Sequence, residues 1–439
     1  MTSLSSSATS YYPRFSTLRI GPSWKPPAPR AGTGNVIVNH FTSEFLLKFR
    51  LVKAPIPRPR RRRTLSLSVS AASAFDLVPP PIDNDLHAIM MDMGAKFSED
   101  GSVETFGNDE LSLKAMEDGI VAVDLSHFGR IRVSGDDRLQ FMHNQSTADF
   151  HFLAEGQGCD TVFVTPTART TDLAIAWVMK NAITLLVSPT TCGRIVTMLN
   201  KYIFFADKVE VQDITSKTCF FSIMGPRSDQ VMEHLNIGAI VGKPYGTHLH
   251  YSVDGNPITV GVGSVVSERG YSFLLSPPTA GLIWKSLMKF GAVPMGMLGW
   301  ERLRVLQGRP APGKELTDEF NVLEAGLWKT LSLTKGCYIG QETIARLITY
   351  DGVKQHLWGI HLDSPATLGS IIRVDGTKVG KLTSFALGSN GLKHVGLGYV
   401  KRNFGFAGQV VNIEDTKGVL VDVPFICRSF QKEEEMAKK

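Results

Sequence analysis

The stretch KGCYIGQE, Lys335 through Glu342, places one cysteine between two glycines and two residues after a lysine. The residues that follow, ETIARL, have helical spacing, so Cys337 is predicted to lie at or just before the N-terminus of a helix. The helix dipole and the charge of Lys335 would both favour a thiolate over a thiol. The pattern fits a reactive cysteine on a tight turn, and it fits equally a small buried side chain at a strand–helix joint.

The composition of the whole chain narrows the class of protein. At 439 residues the chain is long enough for two or three domains, and its hydrophobic content of 43% and charged content of 20% are typical of a globular protein. It has no run of ~18 apolar residues, so no membrane span is predicted. The net charge of +6 comes from residues 1–75, which hold twelve Lys or Arg and one acid, while the remainder is mildly acidic. A nucleic-acid partner is therefore not predicted.

Residues 1–70 are rich in Ser, Thr and Pro, poor in acids, and lack the apolar block of a secretory signal. This composition predicts an organelle transit peptide, with cleavage near Val69–Ala72. No charged residue precedes Arg14, whereas a mitochondrial presequence usually begins with a basic amphipathic helix. The chloroplast stroma is therefore the predicted destination, and the mitochondrion is the alternative.

Cysteine and histidine spacing predicts no metal site. The five cysteines include no CxxC pair and no Cys/His cluster of zinc-finger spacing, and their odd number does not suggest a disulfide framework. His248 and His250 alternate on a predicted strand and would share one face, which is compatible with metal binding. Without accompanying cysteine or carboxylate ligands, an ordinary strand position is the favoured interpretation for both.

The pattern of apolar residues predicts an α+β fold over residues 76–350. A strand switches to a helical pattern within FGRIRVSGDDRLQFM, Phe128–Met142, and strands follow from Thr161–Thr165 onward. A second unit of the same kind begins with the strand Thr218–Gly225, and a helix is predicted at about Gly296–Gln307. Two successive β-α-β-β-α-β units favour two ferredoxin-like lobes that pack together.

Residues 351–432 show a different sequence pattern from the residues before them. Short alternating strands are separated by turn signals, such as Asp375–Gly376 between two alternating runs. This pattern predicts a separate, small antiparallel β-barrel or sandwich with its own core.

KGCYIGQE resembles the signature of the YgfZ-type folate-binding proteins, which are relatives of the glycine-cleavage aminomethyltransferase, or T-protein. The similarity extends from DLSHFGRIRVSGDD at Asp124 to the barrel and includes TPTARTTD, GWERLRVLQGRP and NVLEAGL. The resemblance implies a cloverleaf of three domains around a central folate site, and a role in building or repairing iron–sulfur clusters. Cys337, the motif cysteine, and Lys335 would be the catalytic residues, and the other motif residues are Gly336, Tyr338, Gly340, Gln341 and Glu342.

The resemblance also suggests residues for tetrahydrofolate or a one-carbon derivative of it. A carboxylate can accept the N–H groups of the pterin ring, and Glu268 and Asp172 are the candidates. The anionic glutamyl tail needs a cation, for which Arg304 or Arg169 would serve. An aromatic side chain, Trp300 or Tyr271, would stack on the ring. Without the resemblance, the same residues would be ordinary core, turn and helix-surface positions.

Two departures from the T-protein pattern affect the predicted activity. Thr171–Asp172 offers one carboxylate where the T-protein has paired aspartates, and Glu268 lies in VVSERGYS rather than in a Gly-Tyr-Thr-Gly-Glu context. Both departures argue against efficient aminomethyl transfer and are compatible with the expected folate binding.

The predicted function is a folate-dependent factor in iron–sulfur cluster biogenesis or repair in the chloroplast. Iron–sulfur assembly proteins or client enzymes would be its partners. Whether it is an enzyme in the strict sense is left open. One alternative is a tetrahydrofolate-dependent one-carbon (aminomethyl) transferase, and the other is a non-catalytic assembly scaffold.

Overall fold

The computed structural model describes residues 50–51, 84–388 and 394–428, so most of the predicted transit peptide lies outside the described residues. The helices are α1 Asn84–Asp92, α2 Asp109–Asp118, α3 Arg138–Gln145, α4 Cys192–Lys201, α5 Ser228–His234, α6 Pro277–Lys289, α7 Met297–Gln307 and α8 Gln341–Thr349. The strands are β1 Arg50–Leu51, β2 Lys96–Phe97, β3 Val103–Thr105, β4 Val121–Asp124, β5 Gly129–Ser134, β6 Gly158–Val164, β7 Thr170–Val178, β8 Ala182–Val187, β9 Glu210–Asp213, β10 Cys219–Met224, β11 His248–Val253, β12 Asn256–Val262, β13 Tyr271–Leu275, β14 Val293–Met295, β15 Gln355–Leu362, β16 Ile371–Val374, β17 Thr377–Ala386, β18 His394–Lys401, β19 Val410–Ile413 and β20 Thr416–Val421.

Two sheets carry the first two lobes. One sheet has the order β6-β7-β8-β5-β9, and the other has the order β1-β11-β12-β13-β10-β4-β14. All pairs in these sheets are antiparallel except β14 with β4, which is parallel. The edge strand β1 falls inside the predicted transit segment and pairs with Ser252 and Tyr251 of β11.

Strand β7 is buried along its whole length because it faces a core on both sides. Ala174 and Ala176 point into the core that α3 and α4 cover. Ile175 and Trp177 point the other way, into a core shared with Phe220 of the other sheet. Because successive side chains of a strand point to opposite faces, β7 contributes to two cores at once, and the core that it shares with Phe220 joins the two lobes.

The six strands β15 to β20 close into an antiparallel barrel in the order β15-β18-β17-β16-β19-β20. The barrel has its own apolar core, which includes Ile360, Leu382 and Leu420. Helix α7 precedes the barrel in the chain and is terminated by Gly308, whose φ of +79° is left-handed. A Cβ at Gly308 would lie 2.2 Å from a methyl carbon of Val423, so only glycine fits this stop.

The predicted fold class, α+β with two sheet-and-helix lobes and a C-terminal antiparallel barrel, is confirmed. The helix predicted at Gly296–Gln307 is observed at Met297–Gln307, and the strand predicted at Thr218–Gly225 is observed at Cys219–Met224. Within the described residues, every helix falls short of the length and apolar character that a membrane crossing requires.

Candidate functional site

The larger of the two cavities that contain predicted folate residues has a volume of about 440 Å³, which lies within the range of pockets that take small ligands. It lies where β6, the β12–β13 loop, the residues after α7 and the segment after the barrel meet. Of the predicted folate residues only Glu268 lines it, on the β12–β13 loop. Gly263 opens that loop and donates its N–H to Gly270 O at 2.8 Å. Its φ is +105°, and a Cβ there would lie 2.3 Å from the ring of Tyr245.

A hydrogen-bonded pair, Tyr245 and Asp160, forms part of the wall of this cavity. Tyr245 donates its hydroxyl to Asp160 Oδ1 at 2.6 Å. Burial raises the pKa of the Asp160 carboxyl, and the nearby charge of Glu268 raises this pKa further, although less than the charge of Arg309 lowers it. Burial also raises the pKa of the Tyr245 hydroxyl well above its ordinary value, so the hydroxyl is a permanent donor at neutral pH. The cavity therefore offers two carboxyl groups and one phenol to a ligand that carries N–H groups.

Arg309 is buried close to Asp160 and Tyr245. Its Nη2 donates to Leu173 O at 3.0 Å, and its guanidinium carbon lies 5.1 Å from the centre of the Phe425 ring. Burial lowers the pKa of Arg309, and the nearby charges of Asp160 and Asp172 oppose that shift. Arg309, which follows α7 in the chain, thus offsets the negative charges of both Asp160 and Asp172.

Asp172, Trp300 and Arg304 line a different and much smaller cavity of about 60 Å³. This volume is well below the ~300 Å³ at which ligand pockets begin. The two carboxylate oxygens of Asp172 accept from the N–H groups of Leu173 and Ser188, each at 2.7 Å, and from the hydroxyl of Thr191. Burial raises the pKa of Asp172, and these three donors lower it. The structure therefore does not bring Asp172 and Glu268 into one cavity.

The predicted tail-binding arginines are engaged by protein groups. Arg304 is 4% exposed and donates to Glu301, Glu315, Arg309 O and Ser384, which ties α7 to the barrel. Arg169 donates its Nη1 to Glu319 O at 2.7 Å. Neither arginine lines the 440 Å³ cavity, whereas the exposed side chains of Arg269 and Lys329 do.

The predicted stacking residues lie elsewhere as well. Trp300 is buried and packs edge-on against Phe128, with ring centres 6.3 Å apart. Tyr271 is buried and donates its hydroxyl to Asp229 at 2.6 Å. Phe425 is the aromatic side chain that lines the larger cavity together with Tyr245.

In KGCYIGQE, most side chains hold the turn in place. Helix α8 begins at Gln341, directly after Gly340 at φ +83°, and a Cβ at Gly340 would lie 2.8 Å from Thr165 O. The buried Lys335 ammonium donates to the carbonyl oxygens of His143, in the last turn of α3, and of Ser146 and Ala148, in the loop after it, at 2.5, 2.6 and 2.7 Å. It also lies 4.5 Å from the centre of the Tyr338 ring. Cys337 is exposed, whereas the other four cysteines are buried or half-buried.

The last two motif residues lie on the first turn of α8. Gln341 donates its side-chain amide to Lys335 O at 3.4 Å. Glu342 forms an exposed ion pair with Arg346 at 2.5 Å, one helical turn later, as expected for a surface pair.

Sequence reasoning missed Asp160, Tyr245, Arg309 and Phe425. Arg309 stands inside the GWERLRVLQGRP stretch that carried the resemblance, so a signal for it was present. Asp160, Tyr245 and Phe425 come from distant segments with no local motif, and only the folded chain places them together.

The site and fold can be compared with known proteins. Residues 86–335 match the family of the GCVT N-terminal domain. The chain is 61% identical over 355 residues to a chloroplastic protein of Arabidopsis thaliana that is named only as a transferase, and the match covers 81% of this chain and 82% of that one. It is 26% identical over 280 residues to the aminomethyltransferase of Rubrobacter xylanophilus, which covers 63% of this chain and 75% of the relative.

A solved structure shares the fold. The crystal structure of the glycine cleavage system aminomethyltransferase T from Bartonella henselae superposes with a TM-score of 0.70 at 18% identity. The superposition covers 79% of this chain and 98% of the other. The predicted T-protein cloverleaf is thereby confirmed as the fold.

Proposed function

Because the chain belongs to the GCVT N-terminal domain family, we propose that it is a folate-binding protein of the chloroplast that serves iron–sulfur cluster biogenesis or repair. The observation that carries the folate part is the 440 Å³ cavity with Glu268 and Asp160 on its wall. The plastid location is supported by the composition of residues 1–70 and by the chloroplastic relative. The iron–sulfur part is supported by the resemblance of KGCYIGQE to the YgfZ signature.

The lining of the cavity matches the two ends of tetrahydrofolate. The carboxylates of Glu268 and Asp160 are acceptors for the ring N–H and amino groups of a pterin. Phe425 offers an aromatic face, and the exposed cations Arg269 and Lys329 suit the glutamyl carboxylates. In this proposal Asp160 replaces Asp172 as the partner of Glu268, because Asp172 is already held by three donors in the smaller cavity.

We assign the contact with iron–sulfur components to Cys337. Its thiol is exposed on a turn whose other residues are held by hydrogen bonds and packing. Glutamine, glycine and tyrosine in the same motif offer no ligand of comparable softness for iron or sulfur. Aminomethyl transfer is the less favoured activity, since Thr171 stands where the related transferases have a second aspartate.

Tetrahydrofolate binding is tested by thermal unfolding of the full chain with and without the folate. Ligand at 100 times its Kd should stabilise the wild-type protein by ~2.7 kcal/mol. Glu268→Gln should lose most of that stabilisation, because the amide replaces one of the two accepting oxygens with an NH₂ group, which only donates. Glu342→Gln, an exposed glutamate outside the cavity, is the matched control and should keep it. An unchanged shift in Glu268→Gln would remove Glu268 from the folate site.

The iron–sulfur role is tested by complementation of a strain that lacks its YgfZ-type protein. The wild-type chain should restore growth, and Cys337→Ala should fail although it folds. Full complementation by Cys337→Ala would remove the thiol from the function. Formation of methylene-tetrahydrofolate from an aminomethylated carrier protein would instead identify a one-carbon transferase.

A further inference from the structure

A cluster of two histidines and one aspartate lies at the end of α3 and in the loop that follows it. One ligand atom from each of His143, Asp149 and His151 lies within 4.8 Å of the others. His143 is 3% exposed, Asp149 is half-buried and His151 is exposed, so the cluster reaches from the interior to the surface. It is separate from both cavities described above.

The inner histidine has an unsatisfied nitrogen. Nδ1 of His143 is buried and has no hydrogen-bond partner among the residues that the structure describes. Asp149 Oδ1 lies 3.1 Å from it, but the contact lacks the geometry of a hydrogen bond. Buried polar atoms without a partner are uncommon in folded proteins, and a bound ion is one of the ways in which such an atom is satisfied.

The outer histidine is oriented by a chain of side chains. Gln140 donates its amide nitrogen to Asn144 Oδ1 at 2.9 Å, so its Oε1 is the atom that faces His151 Nε2 at 3.0 Å. Because an amide oxygen only accepts, the hydrogen of neutral His151 is on Nε2 and its Nδ1 keeps a free lone pair. A histidine that ligates a metal through one nitrogen typically donates the other to such an acceptor.

Asp149 fixes the loop between the two rings. Its Oδ1 accepts the backbone N–H of His151 at 3.0 Å, which keeps the carboxylate beside both imidazoles. The rings of His143 and His151 stack with centres 3.9 Å apart and planes 11° from parallel. A metal ion lies in the plane of each imidazole that binds it, so the exposed His151 ring must turn out of the stack when an ion enters.

We propose that His143, Asp149 and His151 bind one divalent transition-metal ion of the Zn²⁺ or Fe²⁺ class. Two imidazoles and one carboxylate are a donor set that these ions take, with further positions left for water or a substrate. The exposed side of the cluster leaves room for those positions. This inference rests on the geometry of the three side chains and does not depend on folate binding.

Lys335 connects this site to the KGCYIGQE turn. Its ammonium holds the carbonyl oxygens of His143, Ser146 and Ala148, and so shapes the loop that carries the ligands. The carboxylate of Asp149 offsets part of the repulsion between the ammonium and an incoming ion.

The test uses the full chain without an affinity tag, stripped of metal by a chelator. Zn²⁺ binding is measured by titration calorimetry, and Co²⁺ binding by its visible absorption, at pH 7.5. The wild-type protein should bind one equivalent. His151→Ala and Asp149→Asn should bind Zn²⁺ at least about tenfold more weakly, because each removes a ligand. His234→Ala, an exposed histidine on α5, is the control and should bind as the wild type does.

Since His151 is exposed, its replacement by alanine leaves the core intact, and an unchanged thermal melt verifies this. Gln140→Leu should weaken binding by ~10-fold or more, because leucine offers no acceptor to hold the His151 hydrogen on Nε2 and so to keep Nδ1 available for the metal. The proposal is overturned if the wild-type chain binds no Zn²⁺, or if His151→Ala and Asp149→Asn bind it with wild-type affinity.

Discussion

Lys335→Met should destabilise the protein, and more strongly at alkaline pH than at neutral pH. Lys335 is 6% exposed, and its ammonium donates to three carbonyl oxygens in the last turn of α3 and the loop after it, at 2.5, 2.6 and 2.7 Å. Methionine has a similar length and no hydrogen to donate, so the substitution leaves the three oxygens without their donor. The matched control is Lys329→Met, an exposed lysine six residues earlier.

The magnitude follows from two opposing effects. Each buried carbonyl left without a partner costs ~1–3 kcal/mol. Against this, burial lowers the pKa of Lys335 from 10.5 to about 8, although Asp149 favours the charged form. A shift of that size means that burying the ammonium costs ~3.4 kcal/mol, which methionine avoids. The net loss of unfolding free energy at pH 7 is therefore about 2–3 kcal/mol.

The pH dependence has a definite sign. Between about pH 8 and pH 10.5 the folded protein has released the Lys335 proton while the unfolded chain still binds it. The unfolding free energy of the wild type therefore rises with pH in this window, by about 1.3 kcal/mol from pH 7 to pH 9. Lys335→Met lacks this gain, so its deficit relative to the wild type should grow to about 4 kcal/mol at pH 9.

Urea unfolding followed by far-ultraviolet circular dichroism at pH 7 and pH 9 measures both effects. Lys329→Met should stay within ~0.5 kcal/mol of the wild type at either pH. If Lys335→Met unfolds at the same urea concentration as Lys329→Met at both pH values, the ammonium does not hold the loop. If its deficit is large but independent of pH, the assignment of the lowered pKa to Lys335 is wrong.

Three further predictions concern the thiol, the N-terminal segment and the barrel joint. Iodoacetamide at pH 7.5 should label Cys337 before the other four cysteines, since it alone of the five is exposed, and burial raises the pKa of Cys159 to about 12; equal labelling in a mass-spectrometric time course would contradict this. Residues 1–70 fused to a fluorescent protein should direct it to chloroplasts in leaf cells, and mitochondrial fluorescence would support the alternative address. Glu315→Gln should cost ~3 kcal/mol of unfolding free energy, because Glu315 is fully buried and pairs with Arg304 at 3.1 Å; a melt equal to that of the wild type would show that the pair contributes little.

The fold could be predicted from the sequence because its signals are local. The apolar pattern predicted a strand at Thr218–Gly225, and Cys219–Met224 is observed. The order of strands in each sheet had no such signal. Strand β4 pairs with β10, about a hundred residues later, and with β14 farther on, and these pairings arise from packing of apolar faces over long sequence separations.

The candidate site was predictable only where a motif carried it. Glu268 came from its resemblance to a folate-contacting glutamate and lines the larger cavity. Asp172 came from a similar argument, but its carboxylate caps the Ser188–Thr191 turn instead of facing that cavity. The metal candidate had no sequence signal at all, because His143 and His151 are brought together by the loop that Lys335 holds from 192 residues away.

The KGCYIGQE turn contains two kinds of residue. Lys335 is tied to the loop after α3, Tyr338 is buried against it, and Gly340 lets the backbone approach Thr165 within the TPTARTTD turn. Thr343, in the first turn of α8, donates to Pro166 O at 3.2 Å in the same TPTARTTD turn. The turn is therefore fixed on two sides by segments of the first lobe, while Cys337 between these anchors stays exposed. A cysteine that only filled a strand–helix joint would be expected to lie among the buried anchors, so this arrangement favours the reactive interpretation of the motif.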